Sequence, residues 1–176
     1  MSGVIFQAAA LLLGYPDENL LARLDLIEEA SAEAGAAQRF APVLAHLRSM
    51  PIMELQSWHV QEFDLSRRHA LHLTYWTDGD TRRRGEVLAS IKQTYRDSGL
   101  VVDLDGELPD YLPMVLEFAA TGSPRLGIGI LNAYRASLEL LRIGLTEDKL
   151  PMQGSSPPCV TRWAARRRRP APRYAT

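Results

Sequence analysis

Large apolar residues recur every three or four positions along most of the first 150 residues. Leu20, Leu21, Leu24 and Ile27 share one such face, and Leu126, Ile130, Tyr134, Leu138, Leu141 and Leu145 step the same way through one long segment. This spacing lays an apolar stripe along one side of a helix, and the stripe must be buried against other helices. Alternation with period two is confined to Leu100–Leu104, a short stretch flanked by acids. Gly14, Gly35, Gly79, Gly99 and Gly122 each follow a periodic segment, where a helix C-cap is expected. The pattern predicts an all-α, single-domain bundle of about seven to nine helices.

The expected elements are a buried helix over Val4–Leu13, a second one capped by Asp17, and a third over Phe40–Arg48 that stops before Pro51. Helices over Ile52–Phe63 and Leu65–Trp76 are expected next, with a break near Asp64, then one over Thr81–Ser98 carrying Val87, Leu88, Ile91 and Tyr95 inward. The Leu126–Leu145 segment reads as one last long helix.

Charge divides the chain. The formal net charge is −1, yet all 21 acids and 14 of the 20 Lys and Arg lie in residues 1–150, a net of −7. Residues 151–176 carry six arginines and no acid. We therefore read 1–150 as the helical domain and 151–176 as a Pro- and Arg-rich tail without apolar period, disordered by composition. Arg166–Arg169 has neither an aromatic platform nor a folded reader beside it, so the expectation is no nucleic-acid binding. No apolar run approaches the roughly 20 residues of a membrane span, and no basic region precedes the first apolar stretch, so neither membrane insertion nor a secretory leader is expected. The single cysteine, Cys159, has no partner for an internal disulfide or a zinc knuckle and fits a reducing compartment.

Two segments are candidates for chemistry. Glu107-Leu-Pro-Asp-Tyr-Leu-Pro-Met-Val-Leu-Glu-Phe118 opens with a Pro-containing turn, and Asp110 is placed to cap the helix that follows. Glu107, Asp110 and Glu117 beside Tyr111 and Phe118 form either a negative site for a basic, apolar peptide or a capped helix whose Leu112, Val115 and Leu116 are core. In Thr74-Tyr-Trp-Thr-Asp-Gly-Asp-Thr-Arg-Arg-Arg84, Asp80 or Thr81 can cap a new helix whose first turn holds three arginines. Cations there oppose the helix dipole. Arg82, Arg83 and Arg84 therefore either pair with acids of the domain or meet an acid of a partner or a phosphate. His69 and His72, three apart on one expected helix, share a face, but zinc needs three or four ligands, and no HExxH or CxxC is present. No G-x-S-x-G, P-loop or strand-borne G-x-G-x-x-G occurs, so the chain is not read as an enzyme. The rival classes are an enzyme acting on a phosphate-bearing small molecule through the arginines, and a nucleic-acid binder using the tail.

ELPDYLPMVLEF resembles the acidic-Pro-Asp signature of the NarJ/TorD family of assembly chaperones for molybdenum-cofactor oxidoreductases. AAALLLGYPDENLLARL (Ala8–Leu24) and FDLSRRHALHLTYWTDGDTRRRGEVL (Phe63–Leu88) resemble its NarJ branch, and the likeness runs in order from about Phe6 to Leu145. The tail departs from it, since such chains continue with helical sequence, and reads as an altered or frameshifted end. The resemblance implies a cytoplasmic, non-catalytic helical protein, monomer or dimer, that binds the nitrate reductase alpha subunit through that subunit's N-terminal segment. It implies assistance in loading the bis-MGD form of the molybdenum cofactor into the client, with no cofactor held permanently. The expected partner-binding set is Tyr75, Trp76, Arg82, Arg83, Arg84, Glu107, Asp110, Tyr111, Leu112, Glu117 and Phe118.

Overall fold

The computed structural model describes residues 3–78 and 82–155. Among the described residues ten α-helices run in the order α1 Gly3–Leu13, α2 Glu18–Ala22, α3 Leu24–Glu33, α4 Ala37–Leu47, α5 Ile52–His59, α6 Tyr75–Asp78, α7 Arg82–Asp97, α8 Leu112–Glu117, α9 Pro124–Ala133 and α10 Arg135–Glu147. α5 and α8 each pass into a π-helical turn, Val60–Asp64 and Phe118–Gly122. Among the described residues there is no β-strand, and no helix is long and apolar enough to cross a membrane.

α1 is the axis of the bundle. Phe6, Ala8, Ala9, Ala10, Leu12 and Leu13 are all buried, so the helix is apolar on more than one side, as a central helix must be. Its alanines let α3, α8 and the Phe118–Gly122 turn approach closely. Around it, Phe40, Leu44, Leu55, Leu112, Leu116, Leu131, Leu138, Leu141 and Leu145 are sealed from solvent. Each such side chain contributes about 1.5–3 kcal/mol relative to exposure.

Local signals account for many element ends. Asp17 caps α2, its Oδ1 accepting from Leu20 N–H at 2.7 Å. Gly35 and Gly99 follow α3 and α7 with φ of +71° and +75°, where any β-carbon would be strained. The stripe Leu20–Ile27 belongs to two helices, α2 and α3, hinged at Arg23.

Three expectations are corrected. Leu65–Trp76 is not a helix: the chain leaves the π turn at Asp64 and runs irregularly until α6 begins at Tyr75. The last long segment is two helices broken at Tyr134, whose φ of −99° and ψ of 26° interrupt the ladder. Leu100–Leu104, the stretch with period-two alternation, is an irregular connection with Val101 fully exposed, in keeping with the all-α reading. Pro151–Ser155, taken as the start of the tail, forms a 3₁₀ turn packed on α4, α1 and α10 with Met152 buried. The expected caps Asp80 and Thr81, the break at Gly79, and the tail from residue 156 lie outside the described residues.

Candidate functional site

The irregular run from Leu65 to Thr74 is non-helical because its polar groups are used elsewhere. Leu73 N–H donates to Asp110 O at 3.1 Å and Leu112 N–H to Leu71 O at 2.8 Å, an antiparallel bridge that pairs His72 with Tyr111. At the other end of the run, His69 is buried with Nε2 2.8 Å from Asp148 Oδ2 and Nδ1 3.2 Å from Glu62 O. Arg68 reaches Glu147 at 2.8 Å. Gly144 of α10 allows this approach, since a β-carbon there would lie 2.7 Å from Arg68 O. Tertiary bonds at both ends thus outcompete the helical ladder.

His69 and His72 consequently do not share a helix face, which corrects that expectation. His69 faces the end of α10, whereas His72 stacks on Tyr111 at 5.4 Å and has Nε2 3.4 Å from Glu107 Oε2. Among the described residues no cluster of His, Cys, Asp and Glu has the arrangement of a metal site.

Asp110 is not the expected helix cap. It is completely buried, and Tyr111 occupies the N-cap position of α8 without a side-chain bond to the helix. Asp110 Oδ2 instead accepts from Thr74 N–H at 2.9 Å and from Thr74 Oγ1 at 2.6 Å. A buried carboxyl so close to two donors gains more from them than it would from solvent-exposed amides at a helix end. Nearby, Tyr95 of α7 donates its hydroxyl to Pro109 O at 2.7 Å. Burial raises the phenol pKa of Tyr95, and Asp110 adds to the rise.

These bonds join the two sequence segments into one wall. On its outer side lies a groove of about 510 Å³, lined by Phe63, Asp64, Leu65, Ser66, Arg67, Ala70, His72, Tyr75 and Arg84. Its lining mixes apolar and aromatic side chains, Phe63, Leu65, Ala70 and Tyr75, with charges of both signs, Asp64, Arg67 and Arg84. Tyr111 stands behind His72, with its phenol pKa raised by burial and further by Glu107 and Asp64.

The expected partner-binding residues divide among several places. Tyr75 and Arg84 line the groove. Trp76 is half-buried, its indole N–H donating to Ala70 O at 3.2 Å, so it braces the wall. Arg82 and Arg83 are exposed at the start of α7, with Arg83 3.8 Å from Asp78. Glu107 and Tyr111 flank the groove through His72, whereas Asp110 and Leu112 are fully buried behind it. Glu117 and Phe118 face a different hollow, of about 410 Å³, with Leu100, Val101 and Met114. Phe118 is itself buried against Tyr95 at 4.8 Å.

Sequence reasoning did not single out Phe63, Asp64, Leu65 or Arg67 as lining of this groove, and it weighed His72 only as a metal ligand. Their only signal was membership of the Phe63–Leu88 segment, because a helical reading sends their side chains in other directions.

A family model described as nitrate reductase delta subunit matches residues 28–148. Nitrate reductase-like protein NarX of Mycobacterium tuberculosis is 40% identical over 148 residues, which are 84% of this chain and 22% of NarX. The chain thus spans about a fifth of that relative's length. "Probable nitrate reductase molybdenum cofactor assembly chaperone NarJ" of Bacillus subtilis is 31% identical over 148 residues, 82% of this chain and 80% of the relative. Among solved structures, one described as a redox enzyme maturation protein from Archaeoglobus fulgidus superposes with a TM-score of 0.66, covering 93% of this chain and 94% of that one. At 18% identity that likeness speaks for the fold alone. The family model over most of the chain, and a Bacillus NarJ covered over four fifths of its length, show that this protein belongs to the NarJ-type family of nitrate reductase molybdenum cofactor assembly chaperones.

Proposed function

We propose that this protein is a cytoplasmic, system-specific chaperone for the apo catalytic (alpha) subunit of a respiratory nitrate reductase. It assists insertion of the molybdenum cofactor, in its bis-MGD form, and holds the client back from membrane docking until loading is complete. The client segment engaged is the alpha subunit's N-terminus, seated in the groove between the Leu65–Thr74 run and the start of α7. One observation supports this placement: the groove is lined entirely from the Phe63–Leu88 segment, the more specific part of the family resemblance, and hydrogen bonds from Asp110 and Leu112 of the second segment hold that lining from behind. A lining that mixes apolar and aromatic side chains with charges of both signs suits a short amphipathic peptide.

The role requires no catalysis. A protein that binds the apo client better than the loaded client shifts the population by its differential affinity, and release follows when cofactor stabilises the other state. The test is capture of the cognate alpha subunit, apo against cofactor-loaded, and with its N-terminal segment deleted. Capture of the apo form alone, lost on deletion, is the expected result. Equal capture of the loaded or truncated subunit would refute the reading.

A further inference from the structure

Thr74 is completely buried and uses each of its polar groups. Its N–H and hydroxyl both go to Asp110 Oδ2, at 2.9 and 2.6 Å. Its carbonyl accepts from Asp78 N–H at 2.8 Å and so closes the first turn of α6. Its hydroxyl also accepts from Arg84 Nε at 3.1 Å. The direction of this chain of bonds is fixed by chemistry. A guanidinium Nε–H only donates, so the lone hydroxyl proton of Thr74 is committed to Asp110. Asp110 therefore orients the hydroxyl, and the oriented lone pair receives Arg84.

Arg84 and Tyr75, the residue after Thr74, both line the groove, while Thr74 and Asp110 do not reach it. We propose that Thr74 is a positioning residue for partner binding, transmitting the orientation of the buried Asp110 carboxyl to Arg84 in the groove wall. This inference rests on the proposed chaperone function for its binding readout, and it assigns Asp110 an indirect role in place of direct contact with a client. Valine matches threonine in shape and lacks the hydroxyl. Serine retains the hydroxyl and lacks the methyl group.

The experiment compares Thr74→Val, Thr74→Ser, Arg84→Lys and the Thr74→Val/Arg84→Lys double variant in the full chain. Capture of the apo alpha subunit is measured beside the ¹⁵N-detected Nε–H resonance of Arg84, assigned by its loss in Arg84→Lys. Loss of one oriented bond to a charged group predicts about tenfold weaker capture for Thr74→Val, and serine should stay within about threefold of wild type. The double variant should be no weaker than Arg84→Lys alone, because both changes break the same link. The Arg84 Nε–H should lose its exchange protection in Thr74→Val and keep it in Thr74→Ser. Unchanged capture in Thr74→Val, or fully multiplicative losses in the double variant, would overturn the proposal. If Thr74→Val does not fold, the serine variant decides: loss of capture or of Nε–H protection there overturns it, and retention of both supports it. Should wild type capture no alpha subunit, the chaperone reading fails by itself, and the Nε–H signal still decides the positioning role.

Discussion

Gly144→Ala sets a local preference against a tertiary contact, and the structure fixes which one wins. Alanine in a helix interior is favoured over glycine by about 1 kcal/mol. Gly144 lies inside α10, yet its β-carbon would sit 2.7 Å from the backbone oxygen of Arg68 and 3.4 Å from the ring of His69. A β-carbon essentially never comes within about 3.0 Å of a backbone oxygen, so the backbone at Arg68 would have to move outward by several tenths of an ångström. That motion works against the 2.8 Å contact of His69 with Asp148 and the 2.8 Å pair of Arg68 with Glu147. Overpacking of this kind costs about 1–3 kcal/mol. After the propensity gain, a net destabilisation of about 0–2 kcal/mol is expected. Gly85 of α7 and Gly129 of α9 supply the reference, because a β-carbon at either meets nothing within 4 Å. Alanine there should stabilise by about 0.5–1 kcal/mol. Urea unfolding followed by far-ultraviolet circular dichroism gives all three midpoints. If Gly144→Ala proves as stabilising as Gly85→Ala and Gly129→Ala, the close seating of the Leu65–Thr74 run on α10 is wrong.

Acid should destabilise the fold through His59, whose burial against Tyr15 and Phe63 lowers its pKa from 6.5 to about 4. The folded state binds fewer protons than the unfolded chain in that window, so stability is full above about pH 6.5 and falls towards pH 4, by roughly 3 kcal/mol for this group alone. The drop in urea midpoint between pH 7 and pH 4.5 should shrink in His59→Gln, and an identical drop would exclude His59 as its source. Asp110→Ala removes Oδ2, the one acceptor that two buried Thr74 donors share, and should cost about 2–3 kcal/mol. Asp17→Ala, which removes only the α2 cap, should cost about 1 kcal/mol. Equal losses in thermal or urea unfolding would deny Asp110 its buried role. Tyr75→Ala should weaken capture of the apo alpha subunit about tenfold or more while leaving the unfolding midpoint nearly unchanged, as truncation of an aromatic in a binding groove does. Full-strength capture would move the client elsewhere on the surface.

The helices were legible because their evidence is local. The caps and stops at Asp17, Gly35 and Gly99 depend on a few neighbouring residues, and the apolar period of α7 survives in the buried pair Ile91 and Tyr95. The site was less legible, for a reason visible in its residues. Leu65–Thr74 has an acceptable helical composition, and nothing within those ten residues forbids a helix. What forbids it lies far away in sequence: Asp110 and Leu112 for Leu71–Thr74, Asp148 for His69, and the missing side chain of Gly144 for Arg68. The same displacement explains Asp110. An aspartate just before a helix is ordinarily a cap. Here the residue one position later takes the N-cap place, and the carboxyl turns inward to Thr74, 36 residues earlier in the chain.

The departure of Leu65–Thr74 from a helix shapes the groove. A continuous helix over Leu65–Trp76 would bury one face of the segment and expose the other, with no concavity between it and α7. The irregular run supplies that concavity, and it exists only while the Thr74–Asp110 and His69–Asp148 bonds hold both of its ends. The shape of the groove is therefore coupled to bonds between residues far apart in the chain, 65–74 with 110–148. Changes at Asp110, Thr74, His69 or Gly144 should alter the groove without touching what lies in it, whereas changes at Tyr75, His72 or Arg67 act on the groove surface itself. The two groups are separable by the response of the unfolding midpoint: the first should lower stability and capture together, the second capture alone.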